Sequence, residues 1–289
     1  MTWDIQGKRV LITGGNCGIG RATAEELCRR GARVVLTARD AAKGAAAVAS
    51  IEAAVPAADV AWRELDLANR ESIEGFAAGV IDDFDRLDVL IHNAGVILSE
   101  RREAEAGVEM TFMVNHLGPF LLQRRLEPLL RASAPARVIL VASDAHRMAR
   151  KGLDFDDLQF TRDYSGVAVY GASKLANVLC TRELARRLEG SGVSANCLHP
   201  GVVATEFTRD GDAGGLWGFI FQYLRFLLLT PEKGARTSVF LASDPALGGR
   251  SGGYFSKCRR REPSAVAQDD DAARRLWEES ERLLGLTPA

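Results

Sequence analysis

The stretch Thr13-Gly14-Gly15-Asn16-Cys17-Gly18-Ile19-Gly20 decides the fold of this chain. It follows a β-branched run, Arg9–Thr13, that is typical of a buried strand. It leads into an amphipathic segment, residues 19–30, which predicts a helix, and Gly31 stands where glycine commonly ends one. The first elements that we predict are therefore a strand, a glycine-rich loop and a helix.

The glycines of this loop are spaced G-x-x-x-G-x-G. In a dinucleotide-binding fold, Gly14 permits a tight turn, Gly18 lets the backbone approach a pyrophosphate, and Gly20 lets helix and strand pack closely. The phosphates would lie at the helix amino terminus, where free N–H groups and the helix dipole favour an anion. A plain strand-to-helix turn is the alternative. We predict cofactor contacts at Gly14, Asn16, Cys17, Gly18, Ile19 and Gly20.

Apolar, β-branched runs alternate with alanine-rich amphipathic segments along the rest of the chain. The predicted strands lie at residues 33–37, 59–64, 88–92, 137–142 and 193–198. The predicted helices lie at residues 41–54, 70–83, 103–131, 169–189 and 231–242, with a last helix that ends near residue 284. Continuously apolar strands predict a parallel sheet buried on both faces. The alternation predicts an α/β fold: one domain, residues 1–289, with a doubly wound parallel sheet (a Rossmann fold) and helices on both faces.

Composition narrows the class of protein. The formal net charge of −1 argues against a nucleic-acid partner. The 5 cysteines are odd in number and form no C-x-x-C pair, which favours a reducing, cytoplasmic location over a disulfide framework. The 4 histidines lack the spacing of metal ligands, so no metal is expected. No signal peptide is evident, and no apolar run approaches the ~20 residues of a membrane-spanning helix.

The end of the second predicted strand bears on the choice of dinucleotide. An NAD site usually places an acidic side chain here to bond the adenosine 2′-hydroxyl, which Ala38 cannot do. Arg39 can pair with a 2′-phosphate, so we predict NADP(H) over NAD(H). Alternatively, Arg39 is a solvated cation, and Asp40 is either a helix cap or the acidic residue itself. Asp66, after the third strand, could bond the adenine edge or cap a helix.

Tyr170 and Lys174 are four residues apart on a predicted helix and therefore share a face. Reduction of a carbonyl needs a proton at its oxygen, but a free tyrosine titrates near ~10. We expect the Lys174 ammonium, helped by the positive nicotinamide ring, to lower the pKa of Tyr170. An ordinary surface pair is the alternative, since Y-x-x-x-K alone is a common pattern.

The order of motifs along residues 8–260 resembles that of the short-chain dehydrogenases/reductases. The motifs are Thr13-Gly14-x-x-x-Gly18-Ile19-Gly20, His92-Asn93-Ala94-Gly95, Asn115, Ser143, Tyr170-x-x-x-Lys174 and Pro200-Gly201. The family's usual N-N-A-G begins here with His92, which leaves the Asn-Ala-Gly core intact. The resemblance implies an oxidoreductase that transfers a hydride between a nicotinamide cofactor and a CH–OH group.

The resemblance also implies roles for individual residues. Ser143 would polarise the substrate oxygen, and Tyr170 would donate or accept the proton. Lys174 would hold the nicotinamide ribose, and Asn115 would position a water that links Lys174 to solvent. Further implied cofactor contacts are Asp66, Leu67, Asn93, Ala94, Gly95, Tyr170, Lys174, Pro200, Gly201, Val203 and Thr205, with Val202 and Thr205 nearest the nicotinamide carboxamide.

Other strings resemble the retinol dehydrogenase-like branch, among them Val114–Leu122, Tyr170–Asn177 and Leu198–Val203. That branch mostly uses NADP(H) and acts on lipophilic aldehydes, ketones and alcohols, and the resemblance implies the same here. Residues 1–200 would then bind cofactor and carry catalysis, 201–230 would form a helical substrate lid, and 231–289 would close the substrate side.

The apolar segment 216–229 favours a lid over an apolar substrate, and it allows peripheral contact with a membrane. A buried helix or a subunit contact is the alternative, and the two long predicted helices allow a homo-oligomer. A catalytically silent NADP-binding sensor or scaffold would share this fold. The catalytic tetrad that the resemblance implies, Asn115, Ser143, Tyr170 and Lys174, is complete, which favours an enzyme. The loop spacing argues against an epimerase or dehydratase of the same superfamily.

Overall fold

The computed structural model describes residues 3–203 and 229–287. Its centre is an 8-stranded sheet in the order β3-β2-β1-β4-β5-β6-β7-β8. The strands are β1 (Arg9–Ile12), β2 (Arg33–Ala38), β3 (Asp59–Glu64), β4 (Val89–His92), β5 (Ala136–Val141), β6 (Val193–His199), β7 (Tyr254–Ser256) and β8 (Arg259–Arg261). Strands β1 to β7 are parallel, and β8 is antiparallel to β7. The strand order reverses between β1 and β4, where such sheets have their ligand crevice.

Helices cover both faces of the sheet. They are α1 (Gly18–Arg29), α2 (Ala41–Ala54), α3 (Arg70–Asp83), α4 (Met110–Phe112), α5 (Gly118–Ala132), α6 (Gly166–Arg187), α7 (Pro231–Ser243) and α8 (Asp270–Leu283). One core contains side chains of α1, α2 and α7, and the other contains those of α3, α5, α6 and α8. Within residues 3–203 and 229–287, no helix is both long and apolar enough to cross a membrane. The predicted fold class, a doubly wound α/β sheet, is confirmed.

Strand β1 shows why the sheet is buried on both faces. Val10 and Ile12 point into one core, and Leu11 points into the other. All three are 0% exposed, because side chains alternate along a strand and helices pack on each side. A run of apolar residues without alternation therefore fits a central parallel strand.

The helix predicted over residues 103–131 is wrong in its first part. Helical structure there is limited to a short 3₁₀ turn, Glu105–Gly107, until α4 begins at Met110. The buried Glu109 carboxylate accepts a hydrogen bond from the Phe112 N–H at 2.6 Å, and this contact starts the helix. A π-helical segment, Met113–Leu117, then joins α4 to α5.

Two prolines lie in this region, and proline commonly kinks or ends a helix. Pro119 lies in the first turn of α5, directly after the π-helical segment. Pro128 lies inside α5, which nevertheless continues to Ala132. The departure from regular α-helix falls on the π-helical segment instead, before both prolines.

The hairpin of β7 and β8 was not predicted. Each strand has 3 residues, too short for an apolar pattern to indicate it. The connecting residues, Lys257 and Cys258, have φ of 53° and 58°, as a two-residue hairpin turn requires. Glycine or asparagine usually occupies such positions, so the sequence gives no turn signal here.

Candidate active site

The glycine loop packs tightly between β1 and α1. Gly14 has a φ of 61°, which a tight turn requires and L side chains rarely adopt. A Cβ on Gly20 would lie 2.5 Å from Nδ2 of Asn93 and closer still to the carbonyl oxygen of Gly14. Both positions therefore exclude a side chain for the reasons expected from the sequence.

The amino terminus of α1 fits the pyrophosphate of a dinucleotide. The helix begins at Gly18, and the exposed Cys17 side chain does not cap it. Its first turn carries no acidic residue. The N–H groups of a first helical turn have no partner within the helix, so they and the helix dipole favour an anion there. Asn16 and Ile19, on either side of this terminus, are partly exposed.

Asn93 holds the loop in place from β4. Its side-chain amide donates hydrogen bonds to the carbonyl oxygens of Thr13 at 3.0 Å and Gly14 at 2.9 Å. The hydroxyl of Thr13 in turn accepts from the backbone N–H groups of Asn93 at 3.0 Å and Ala94 at 3.2 Å. In this structure the Asn93 side chain thus orders the loop that would hold the cofactor.

The end of β2 resolves the alternatives for Asp40 and shows the surroundings of Arg39. The Asp40 carboxylate accepts a hydrogen bond from the Lys43 N–H at 2.8 Å and caps α2. Asp40 is therefore a helix cap. Arg39 is exposed, and in the described ranges no acidic side chain pairs with it. Its guanidinium is available to a phosphate at this edge of the crevice.

The contacts of Asp66 are local. Its Oδ1 accepts a hydrogen bond from the Ala68 N–H at 2.9 Å, as in a capping turn, while its own N–H donates to Ser72 at 3.0 Å. Leu67 is buried, and its carbonyl oxygen lies against Gly118 at the start of α5. This packing leaves no room for a Cβ at position 118.

The proposed reacting groups converge where β5 meets α6. Ser143 lies two residues after the end of β5, and its side chain hydrogen-bonds Tyr170 on α6. Lys174, one turn along α6, places its Nζ 5.5 Å from the centroid of the Tyr170 ring. The same Nζ donates to the carbonyl oxygen of Val141 at 3.0 Å and is buried. The structure thus brings a serine, a tyrosine and a lysine together at the carboxyl end of a strand.

Asn115 lies in the π-helical segment and is buried. Its Oδ1 accepts from the Val96 N–H at 2.7 Å, and its Nδ2 donates to the Val96 carbonyl at 2.9 Å. It also donates to the Ser173 hydroxyl on α6 at 2.9 Å. At Gly95 a Cβ would lie 3.2 Å from Asn115 Oδ1 and 3.4 Å from Lys174 Nζ, so Gly95 brings these two side chains close to the β4 end.

Burial has the largest effect on the pKa values of Tyr170 and Lys174 in the protein alone. Burial raises the pKa of Tyr170 to about 12, although the hydrogen bond with Ser143 acts in the opposite direction. Burial also lowers the pKa of Lys174 to about 8. The expectation that Lys174, helped by the nicotinamide ring, lowers the pKa of Tyr170 stays a prediction for the cofactor complex, since in the protein alone burial has the largest effect on the pKa of this group. At neutral pH the phenol is protonated.

The segment after β6 is described only in part. Gly201 has a φ of 97°, and Pro200 beside it is partly exposed. Val202 is 57% exposed, whereas Val203 is buried against Gly234 of α7. Thr205, and all of the predicted lid except its first and last few residues, lie outside the described ranges.

Sequence reasoning missed the polar side chains behind Ser143, which are Asp144, His146, His199 and Tyr254. No motif spacing could have indicated them, because they come from three different parts of the chain. Two of these side chains are histidines, which can ligate metals. Among the described residues, however, no group of three His, Cys, Asp or Glu side chains is placed to hold a metal.

Comparison with known proteins identifies the family. A family model described as enoyl-(acyl carrier protein) reductase matches residues 14–249. Human retinol dehydrogenase 13 is 46% identical over 98% of this chain and 86% of its own length. Human retinol dehydrogenase 14 is 42% identical over 98% of this chain and 88% of its own length.

Solved structures agree with this assignment. An uncharacterized protein from Mycobacterium paratuberculosis has a TM-score of 0.78 and 32% identity, covering 100% of this chain and 97% of its own. The RhlG/NADP active-site complex of Pseudomonas aeruginosa has a TM-score of 0.69 and 28% identity, covering 87% of this chain and 95% of its own. The fold, the arrangement of the tetrad and these matches lead to one conclusion: the chain is an oxidoreductase that belongs to the short-chain dehydrogenase/reductase family, in its retinol dehydrogenase-like branch.

Proposed function

We propose that this protein is an NADP(H)-dependent oxidoreductase that interconverts a lipophilic aldehyde or ketone and its alcohol, with Tyr170 as the general acid and base. The observation that carries the proposal is the hydrogen bond between Ser143 and Tyr170, with Lys174 beside them. Two adjacent hydroxyl groups can both hydrogen-bond to a single oxygen atom, which suits a carbonyl or an alcohol.

NADP(H), when bound, supplies or accepts the hydride. Ser143 donates a hydrogen bond to the substrate oxygen, and Tyr170 passes a proton to it or takes one away. Burial raises the pKa of Tyr170 to about 12, so the phenol holds its proton at neutral pH. The Lys174 ammonium and the bound cofactor would lower this pKa so that the proton can be transferred. Lys174 and Asn115 are both buried next to Gly95, and they would relay the proton between Tyr170 and solvent.

The cofactor preference rests on Arg39. It is exposed at the end of β2, where the ribose of a dinucleotide lies in this fold, and Asp40 is occupied as the cap of α2. An exposed guanidinium suits a 2′-phosphate through two parallel hydrogen bonds. The lipophilic substrate class is supported by the names of the relatives, which are retinol dehydrogenases.

We extend the proposal to the setting of the enzyme. All 5 cysteines are free thiols, which supports a reducing compartment such as the cytoplasm. The apolar 216–229 segment supports a lid over the substrate and peripheral contact with a membrane. Its role would be tested by measuring turnover and vesicle binding after Leu227→Glu, which should reduce both.

The test of the activity is oxidation of NADPH and NADH by the purified protein with a panel of aldehydes and ketones that includes retinal. We expect turnover with NADPH, loss of turnover in Tyr170→Phe, and unchanged NADPH binding by that variant. Tyr164→Phe is the matched control, because the Tyr164 hydroxyl contacts Leu98 and Glu109 and lies outside the tetrad. NADPH binding without turnover of any substrate would instead favour a catalytically silent sensor.

A further inference from the structure

The turn that follows Ser143 determines where its hydroxyl lies. It is a 3₁₀ turn, Asp144–Met148, and the Ser143 Oγ accepts a hydrogen bond from the Ala145 N–H at 3.1 Å. The same side chain hydrogen-bonds Tyr170. A shift of this turn would therefore move the Ser143 hydroxyl relative to Tyr170.

His146 lies at the centre of the turn and is 0% exposed. Its Nδ1 is 2.6 Å from the carbonyl oxygen of Ser143, and its Nε2 is 3.1 Å from the backbone N of Ser264. A carbonyl oxygen only accepts and a backbone N–H only donates, so the ring must carry its proton on Nδ1 and remain neutral. Burial lowers the pKa of His146, in agreement with a neutral ring.

Side chains from other elements hold this turn as well. The Tyr254 hydroxyl on β7 donates to the Asp144 carboxylate at 2.9 Å, and the Tyr254 ring meets the His146 ring edge-on at 5.1 Å. At the end of β6, His199 Nδ1 accepts from the Asp144 N–H at 3.2 Å. Arg147 donates to the carbonyl oxygen of Glu262 at 2.7 Å. Two contacts, those of Arg147 and His146, thus reach the segment 262–264.

We infer that His146 is a positioning residue for Ser143, and that the backbone N–H of Ser264 holds the His146 ring in place for this role. The inference rests on the proposed function, since it assigns a cause to the placement of the substrate-polarising hydroxyl. His146 itself does not contact the substrate. Its ring links the Ser143 carbonyl oxygen to the backbone N–H of Ser264, which lies 118 residues further along the chain.

The test compares two substitutions of His146. His146→Phe keeps a ring against Tyr254 but removes both hydrogen bonds, whereas His146→Asn keeps a donor close to the position of Nδ1. We expect kcat to fall roughly 10- to 100-fold in His146→Phe, because a displacement of ~1 Å near the reacting groups can cost about 10²-fold. His146→Asn should recover most of that loss. The KM for NADPH should stay the same in both, since Ser143 lies away from the glycine loop.

A second pair of variants tests the far end of the contact. Ser264 has a φ of −65°, the value of proline, so Ser264→Pro removes the N–H donor without forcing the backbone. Ser264→Ala keeps the N–H and should retain more of kcat than Ser264→Pro. Equal kcat in these two variants, or an undiminished kcat in His146→Phe, would overturn the inference.

A readout that does not depend on turnover separates this inference from the proposed function. Crystal structures should show the Ser143–Tyr170 hydrogen bond lost in His146→Phe and kept in His146→Asn. If the wild-type protein reduced no carbonyl but the structures behaved in this way, the proposed function would fail and the positioning role would stand. If the hydrogen bond persisted in His146→Phe, the positioning role would fail whatever the activity.

Discussion

The side-chain amide of Asn93 donates a hydrogen bond of 2.9 Å to the carbonyl oxygen of Gly14, across the gap between β4 and the glycine loop. A second one, to Thr13, leaves the amide hydrogens of Asn93 committed to the loop. The segment that follows β4 therefore does two things: Asn93 holds the cofactor-binding loop, and Gly95 lies next to the catalytic residues. The first prediction follows from this connection.

Asn93→Ala should weaken the loop. We expect the free energy of unfolding to fall by about 1–3 kcal/mol, since each lost hydrogen bond contributes about 0.5–1.5 kcal/mol. NADPH should bind more weakly for the same reason, as measured by quenching of tryptophan fluorescence. Asn93→Asp is the matched variant: its carboxylate cannot donate and would face two carbonyl oxygens. Unchanged affinity in both would contradict a role for Asn93 in ordering the loop.

Arg39→Ala should reduce kcat/KM with NADPH by about 10- to 100-fold, because hydrogen bonds to a charged group contribute about 1.5–3 kcal/mol. The value with NADH should not change, since NADH lacks the 2′-phosphate. Lys43→Ala serves as the control, because Lys43 is an exposed cation in the first turn of α2. A parallel loss with both cofactors would show that Arg39 does not select NADPH.

Gly20→Ala should destabilise the protein by about 1–3 kcal/mol, the usual cost of overpacking, since a Cβ there would lie 2.5 Å from Asn93 Nδ2. Gly75→Ala is the matched control. Gly75 is an exposed residue of α3, and a Cβ there would meet nothing within 4 Å. It should stabilise the protein by about 0.5–1 kcal/mol through helix propensity. Urea unfolding of the two variants should shift the midpoint in opposite directions.

Acid should destabilise the fold through two buried histidines. Burial lowers the pKa of His92 and of His116 to about 3, whereas an unfolded histidine titrates near ~6.5. Between these values the unfolded chain binds protons that the folded chain does not, so the free energy of unfolding falls as the pH falls from about 6.5 to about 3. Each histidine contributes up to ~1.4 kcal/mol per pH unit.

His92→Asn tests this dependence. The variant should show a smaller loss of stability per pH unit between about pH 6 and pH 4, measured by urea unfolding at several pH values. Asparagine does not titrate, and it is the residue that the family usually has at this position. If the wild-type and variant curves ran parallel over this range, His92 would be protonated in the folded state and the prediction would be wrong.

Steric and local features could be predicted from the sequence. The roles of Gly14 and Gly20 follow from backbone geometry, and the shared face of Tyr170 and Lys174 follows from helical periodicity. The direction of the Tyr170 pKa could not be predicted, because it depends on how completely the folded chain removes water from the phenol. The role of His146 could not be predicted either, because its partner Ser264 is distant in sequence.

The start of the helix predicted over residues 103–131 was wrong because of one side chain. An apolar pattern extends through residues 103–131, but the buried Glu109 carboxylate caps the helix from inside that pattern. Glutamate is a good helix former, so propensity gives no sign that it acts as a cap here. The contact that decides the boundary exists only after the chain has folded around it.

Strand β8 determines how the sheet ends. It consists of Arg259, Arg260 and Arg261, all exposed, and no further strand pairs with it among the described residues. Two copies joined at this edge would pair two strands of three arginines each, ~5 Å apart, and so bring side chains of like charge together. Such like-charge repulsion protects an open edge from aggregation. The charge of β8 therefore disfavours pairing of two copies of this chain through this edge of the sheet.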